Sequence, residues 1–375
     1  MGSSYNFDKH LESRFVRLLS MAHLDPVLLF GLLLLIAAGL GILYSAGDGS
    51  MELLQRQGVR LSIAFLIMIV VAQIPPQTLY LWTPWVFAVG VLLLVGVMVA
   101  GDVGKGAQRW LNLYVVRFQP SEMMKLATPL MLAWYLCEKP LPPGFRSLLV
   151  SGMLVIVPTV MIAMQPDLGT ALLVVTAGFF VVFLAGLPWR VLIGTGLALL
   201  AFIPILWRMM HDYQKQRVLT LLDPESDPLG AGYHIIQSKI AIGSGGLYGK
   251  GWLNGTQSQL DFLPERSTDF IFAVFAEEFG IIGAVLLLSL YAFIILRGLY
   301  IADNAQDNFG RLLAGSLSLT FFVYLFVNVG MVSGILPVVG VPLPLVSYGG
   351  TSLVTLMAGF GMLMSINSHR RLLSK

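Results

Sequence analysis

Along most of this chain apolar residues do not alternate with polar ones but gather in runs of about twenty, the length that carries an α-helix across a bilayer. The runs lie near residues 26–46, 58–74, 79–100, 120–137, 147–164, 168–186, 189–207, 269–297, 311–335 and 346–367. They are continuous rather than alternating at period two. In lipid every backbone polar group must be paired within its own segment or in a closed barrel, so runs of this kind predict helices. The pattern therefore predicts an all-α polytopic membrane protein of about ten transmembrane helices. One large extracytoplasmic excursion, residues 208–268, separates helices seven and eight. No internal repeat, low-complexity tract or interdomain linker divides the chain, which reads as one membrane domain over residues 1–375.

Composition agrees with the pattern. Hydrophobic residues make up 57% of the chain and charged ones 11%, and the mean hydropathy is +0.81. Soluble domains carry roughly a quarter of charged residues, so a soluble fold is excluded. A net charge of +3 without a Lys/Arg block beside aromatics excludes a nucleic-acid groove. Cys137 is the single cysteine and has no ligand or disulfide partner at useful spacing. The first apolar run is longer than a signal-peptide core and lacks a cleavage site, so it is expected to stay as an anchor.

Charge by position sets the topology. An even number of spans puts both termini on one side, and Lys9, Arg14, Arg17, Arg370, Arg371 and Lys375 place them in the cytoplasm. Lys139, Arg146, Arg190, Arg297 and Arg311 fall in loops on that same side. Against them stand Arg56, Arg60, Lys105, Arg109 and Arg117 in short outer loops, where topology alone disfavours cations. Something outside the membrane is expected to use positive charge.

The candidate chemistry collects on that outer side. Lys105, Arg109, Trp110 and Arg117 crowd one short loop, and Glu122 and Lys125 follow three residues apart on one helical face. With Arg217 and Lys239 from the long loop these cations would form a basic cavity suited to a pyrophosphate, which arginine binds in bidentate fashion. Taken singly, Trp110 reads as an interfacial anchor, each arginine as a headgroup contact, and Glu122–Lys125 as a helix-end ion pair. Residues 165–170 and 342–350 break the helical pattern with Pro and Gly at membrane depth, where irregular backbone is tolerated if it is buried or lines a cavity. Both are expected to be cavity walls, the second carrying Ser347.

Asp269 stands where the polar stretch 264–268 meets an apolar run. It reads either as a helix N-cap or as a functional carboxylate at the membrane surface. Glu277 and Glu278, two turns deeper, are expected to be ion-paired or neutral. Residues 235–242 read as a short interfacial helix. The glycine-rich 243–251 lacks the spacing of a phosphate-binding P-loop, which leaves a re-entering turn as the simpler reading. His211 and His234 read as surface polar residues rather than metal ligands.

Several of these segments are long, specific and in a fixed order: 105–110 (KGAQRW), 118–122 (FQPSE), 165–170 (QPDLGT), 232–238 (GYHIIQS), 268–273 (TDFIFA) and 342–350 (PLPLVSYGG). Together they resemble the SEDS family of polytopic glycosyltransferases (shape, elongation, division and sporulation), and within it the elongation branch. The resemblance covers nearly the whole chain. It implies polymerisation of lipid II, the undecaprenyl-pyrophosphate-linked disaccharide pentapeptide, on the outer face of the bacterial cytoplasmic (inner) membrane. It also implies that Asp269 is the family's essential aspartate. The implied partners are the class B penicillin-binding protein of elongation and other membrane proteins of the elongation complex. The expected substrate-binding residues are Lys105, Arg109, Trp110, Arg117, Glu122, Lys125, Arg217, Lys239 and Ser347. A carboxylate acting as general base suits this chemistry. A Mg²⁺ or Mn²⁺ shared with the substrate pyrophosphate would need no protein cage. A lipid II flippase would instead need a charged path across the membrane, and a scaffold would need no convergent polar residues. A secondary transporter should show matching broken helices in two halves, which this sequence lacks.

Overall fold

The computed structural model describes residues 22–104, 107–112, 117–210, 212–227, 230–260, 262–263 and 265–369. Ten helices stand where the apolar runs predict them. The first seven are α1 (Pro26–Ala46), α2 (Met51–Ala72), α3 (Pro76–Ala100), α4 (Pro120–Cys137), α5 (Phe145–Met164), α6 (Leu168–Leu184) and α7 (Trp189–Met209). Three short helices follow in the long loop: α8 (Asp212–Leu222), α9 (Ala231–Ser244) and α10 (Thr256–Gln259). The last three long ones are α11 (Ile271–Asp303), α12 (Asn308–Val332) and α13 (Thr351–Ser368). Seven of the ten (α1, α2, α3, α5, α11, α12 and α13) are long and apolar enough to cross a membrane. Two more, α6 at 17 residues and the apolar part of α7 (Trp189–Ile205), fall just short in length. The remaining helix, α4, has Glu122 and Lys125 in its first two turns.

The chain is a multi-pass helical membrane protein. Its lipid-facing surface shows in α3, where Thr83, Gly90, Leu94 and Val97 are buried while Leu81, Trp85, Leu92 and Val99 are exposed. A helix apolar on both its buried and its exposed face belongs in lipid. At the centre stands α12, whose apolar window is 72% buried against 17% for peripheral α5. In lipid, close packing rather than hydrophobic exclusion holds helices together, so small residues mark the contacts. A Cβ on Gly361 of α13 would meet the Met68 carbonyl of α2 at 2.6 Å, and one on Gly298 of α11 would meet Ser318 Oγ of α12 at 2.2 Å.

Two features depart from the all-α expectation. The loop between α3 and α4 folds as an antiparallel β-meander of β1 (Asp102–Gly104), β2 (Ala107–Asn112) and β3 (Arg117–Phe118), with Val103 opposite Gln108 and Leu111 opposite Phe118. The last span begins at Thr351 rather than near 346, because residues 342–350 run as buried irregular chain. The expected interfacial helix is α9, which packs on α11 and α12.

Helix α11 is broken at Gly280, whose φ of 63° and ψ of −163° are open essentially to glycine alone. The glycine-rich turn fills the break. Lys250 N–H donates to the Glu277 carbonyl (3.0 Å), Gly251 N–H to that of Glu278 (2.9 Å), and Ile281 N–H to that of Gly246 (3.0 Å). Amides spent in this way stitch the turn to α11, in keeping with a re-entering turn. Both glutamates are tied down beside it. Glu277 pairs with Lys250 (2.7 Å) and accepts from Thr256 Oγ1 and Gln257 N–H, and Glu278 accepts from Ser45 Oγ.

Candidate active site

Residues of the 100–120 joint, the 164–168 joint and the 332–351 joint come together at one site. There a polar cavity of about 210 Å³ opens between the meander, the starts of α4 and α6, and the irregular chain before α13. Its floor is the first turn and a half of α4. Glu122 and Lys125, both buried, pair at 2.6 Å, and the ammonium sits 5.1 Å from the centre of the Tyr324 ring on α12. The second Glu122 oxygen has no hydrogen-bond partner within the described protein.

One wall is the 165–170 turn. Asp167 caps α6 by accepting from Thr170 N–H (3.2 Å), at the helix end that favours negative charge, and its other oxygen accepts from Gln119 Nε2 (2.9 Å). Arg109 reaches over from β2 and donates to the carbonyls of Gln165 (3.2 Å) and Pro166. Trp110 lines the same mouth.

The opposite wall is chain 340–352, held in place by side-chain bonds. Tyr291 O–H donates to the Pro344 carbonyl (2.5 Å), and α1 admits Val346 because Gly39 has no Cβ to meet it. Ser347 Oγ accepts from Leu343 N–H (2.8 Å) and donates to the Thr268 carbonyl (2.5 Å), while Tyr348 N–H donates to Ser267 (2.8 Å). Arg60 of α2 lies 4.3 Å over the Tyr348 ring, next to Gly350 on the cavity rim.

Those last bonds bring the 265–270 turn, and with it Asp269, against the same wall. The Asp269 carboxylate lies 3.6 Å from where a Cβ on Gly340 would stand, and Gly340 lines the cavity. The N-cap of α11 is Phe270, without a side-chain cap bond, and Asp269 precedes it in the turn. Asn328 of α12, fully buried, donates to the backbone carbonyls of both Asp269 (2.9 Å) and Val341 (2.8 Å).

Of the expected substrate-binding set, Arg109, Trp110, Glu122 and Lys125 line the cavity. Ser347 does not: it is buried, and its hydroxyl is committed to holding the wall. Arg217 on α8 and Lys239 on α9 are also absent from the lining. Lys239 is exposed and lies across Gly334 beyond the end of α12. Arg117 is in β3 opposite Asn112, and Lys105 and His211 lie outside the described residues. His234 is half-buried rather than on the surface. It stacks on Phe270 at 5.6 Å, and burial holds its pKa below the ordinary histidine value. Among the described residues the cavity is thus charge-balanced, Arg109 and Lys125 against Glu122 and Asp167, rather than strongly basic. Sequence reasoning missed Gln119, Asn328 and Tyr324. Asn328 at least had a signal, an amide in an apolar span, which lipid tolerates only when it is bonded.

Comparison with known proteins places this architecture. The chain is 58% identical over 355 residues to the peptidoglycan glycosyltransferase MrdB of Escherichia coli strain K12, covering 94% of this chain and 96% of that one. It superposes with a TM-score of 0.81 and 33% identity on a chain of a solved structure described as the structural coordination of polymerization and crosslinking by a peptidoglycan synthase complex, covering 93% of this chain and 98% of that one. The rod shape determining protein RodA of Thermus thermophilus matches with a TM-score of 0.69 and 31% identity, over 92% and 96% of the two chains. The family model of FtsW, RodA and SpoVE, described as cell cycle protein, matches residues 17–372, and the chain belongs to that family.

Proposed function

We propose that this chain is a peptidoglycan glycosyltransferase that polymerises lipid II during cell elongation, with Asp269 as its general base. The observation that carries the reading is the approach of the Asp269 carboxylate to Gly340, a wall residue of a polar cavity that Asp269 itself does not line, in a chain 58% identical to a peptidoglycan glycosyltransferase. The acceptor's sugar 4-hydroxyl attacks the anomeric carbon of the donor. A C–O glycosidic bond forms, the anomeric bond to pyrophosphate breaks, the hydroxyl proton passes to Asp269, and undecaprenyl pyrophosphate leaves. A hydroxyl is a weak nucleophile, and a positioned carboxylate typically contributes about 10²- to 10⁴-fold by removing its proton.

The leaving pyrophosphate gains charge as the bond breaks, and preorganised cations lower the barrier at that point. In this reading that charge comes from Arg109 and Lys125, which line the cavity, and from Lys105 and Arg117 of the sequence between α3 and α4. A divalent cation, Mg²⁺ or Mn²⁺, enters this reading as a counter-ion carried on the substrate pyrophosphate. Among the described residues no three His, Cys, Asp or Glu side chains gather to hold one.

In the same reading the loop-rich end faces outward from the cytoplasmic membrane and both termini face the cytoplasm. The new strand is crosslinked by a class B penicillin-binding protein bound to this chain among other elongation proteins.

The Arg109 side chain tests the role of the cavity. Arg109→Ala is expected to lower lipid II turnover about tenfold or more, a barrier increase of ~1.4 kcal/mol or greater, in protein that still folds. Arg109→Lys keeps the charge but not the paired bonds to Gln165 and Pro166, and should recover part of the rate. A lysine variant as poor as alanine would reduce Arg109 to a clip on the 165–166 turn.

A further inference from the structure

Asn328 sits one turn before the end of α12, with no surface exposed. Its single amide nitrogen spends both N–H groups on backbone carbonyls of two separate segments, Asp269 at 2.9 Å and Val341 at 2.8 Å, while its own carbonyl oxygen has no partner among the described residues. Few side chains would do this. An ionised aspartate offers no donor, a serine offers one, and leucine of similar size offers none. The two acceptors are not arbitrary either. One is the backbone of the proposed base, and the other adjoins Gly340, the wall residue that the Asp269 carboxylate approaches.

The same two segments are also joined by Ser347 to Thr268 and by Tyr348 to Ser267. Those bonds fasten loop to loop, whereas Asn328 ties both to the most buried helix of the bundle. The loop-to-loop bonds support the wall itself, and the Asn328 amide adds a direct tie from both segments to α12.

We propose that Asn328 is a positioning residue for the transfer reaction, fixing Asp269 against the Gly340–Val341 wall so that the carboxylate meets the acceptor hydroxyl at one place. The proposal rests on the reading of Asp269 as general base. Misplacement of a catalytic group by about 1 Å can cost about a hundredfold in rate, so a lost anchor should act on turnover more than on binding.

The test uses full-length Asn328→Ser and Asn328→Leu in nanodiscs, with lipid II as substrate, and reads two quantities. The first is the kinetics of the folded protein: kcat is expected to fall about tenfold or more while KM stays within about twofold. In an Asp269→Asn background the further loss on adding Asn328→Ser should nearly vanish, because residues acting as a unit are not additive. The second is amide hydrogen exchange in peptides covering 265–272 and 338–346, which should quicken in both variants without any reference to activity. Wild-type kcat, an undiminished loss in the Asp269→Asn background, or failure of both variants to fold would each overturn the proposal. Should Asp269→Asn alone keep wild-type turnover, it is the base reading that falls. The exchange result still decides whether Asn328 holds the two segments.

Discussion

Asp269→Asn is expected to insert and fold normally and to polymerise lipid II about a hundredfold or more slowly than wild type. The substitution is close to isosteric and keeps an oxygen where the carboxylate oxygen was, but it cannot accept a proton at neutral pH. Asparagine is also nearly as good a helix cap as aspartate, so a capping residue would tolerate the change. Asp269 stands in the turn just before Phe270, the N-cap residue of α11, and its carboxylate approaches the Gly340 wall. Asp269→Glu keeps the charge but moves it by one methylene and should keep at most weak activity, because a shift of about 1 Å can cost about a hundredfold. Initial rates with labelled lipid II, read beside thermal unfolding of the same preparations, check both variants. A folded Asp269→Asn protein with near wild-type rate would sink the assignment.

Breaking the Glu122–Lys125 pair should produce the largest loss of stability. Both side chains are buried at 2.6 Å from one another, and one Glu122 oxygen already lacks a partner. Lys125→Met would leave a carboxylate in the bundle with no counter-charge, which in buried pairs costs about 3–5 kcal/mol. Glu122→Gln combined with Lys125→Met removes both charges and should restore much of that loss. Replacing a buried pair by neutral groups is often close to neutral. Turnover should not return with stability, because Lys125 lines the cavity and supplies positive charge to the leaving pyrophosphate in the proposed reaction. Thermal unfolding in detergent and polymerisation rates separate the two effects. Recovery of both together in the double variant would make the pair a structural element only, and unchanged stability in Lys125→Met would show that Glu122 is not held as a buried charge.

How far the residues alone could lead is clear from where they stopped. Long apolar runs are local signals, and the helices lie on them. The start of the last span was misplaced because Tyr291, Gly39, Ser347 and Gln57 hold residues 342–350 as buried irregular chain, and such contacts leave no trace in hydropathy. The meander was invisible for a related reason: strands of two to six residues are specified by one another and not by a periodic run. At the site, residues 165–170 and 342–350 are cavity walls as their irregular, polar sequence at membrane depth predicts, and Arg109 reaches the first of them from β2. Arg217 and Lys239 share a sign with Arg109 but sit on α8 and α9, away from the cavity lining, and charge alone could not place them. Asn328 was legible in principle, as an amide that lipid would not leave unbonded, but its two acceptors required coordinates.

Whether this chain itself joins lipid-linked disaccharides is measured most directly by glycan synthesis from lipid II by the purified, reconstituted protein, alone and with the proposed elongation transpeptidase. Long glycan polymer is expected from the wild-type protein with its proposed partner, insensitive to inhibition of the transpeptidase, with free undecaprenyl pyrophosphate released for each bond formed. A folded complex that makes no polymer, whether it moves lipid II across the liposome membrane as a flippase would or merely binds its partner as a scaffold, would contradict the proposed function.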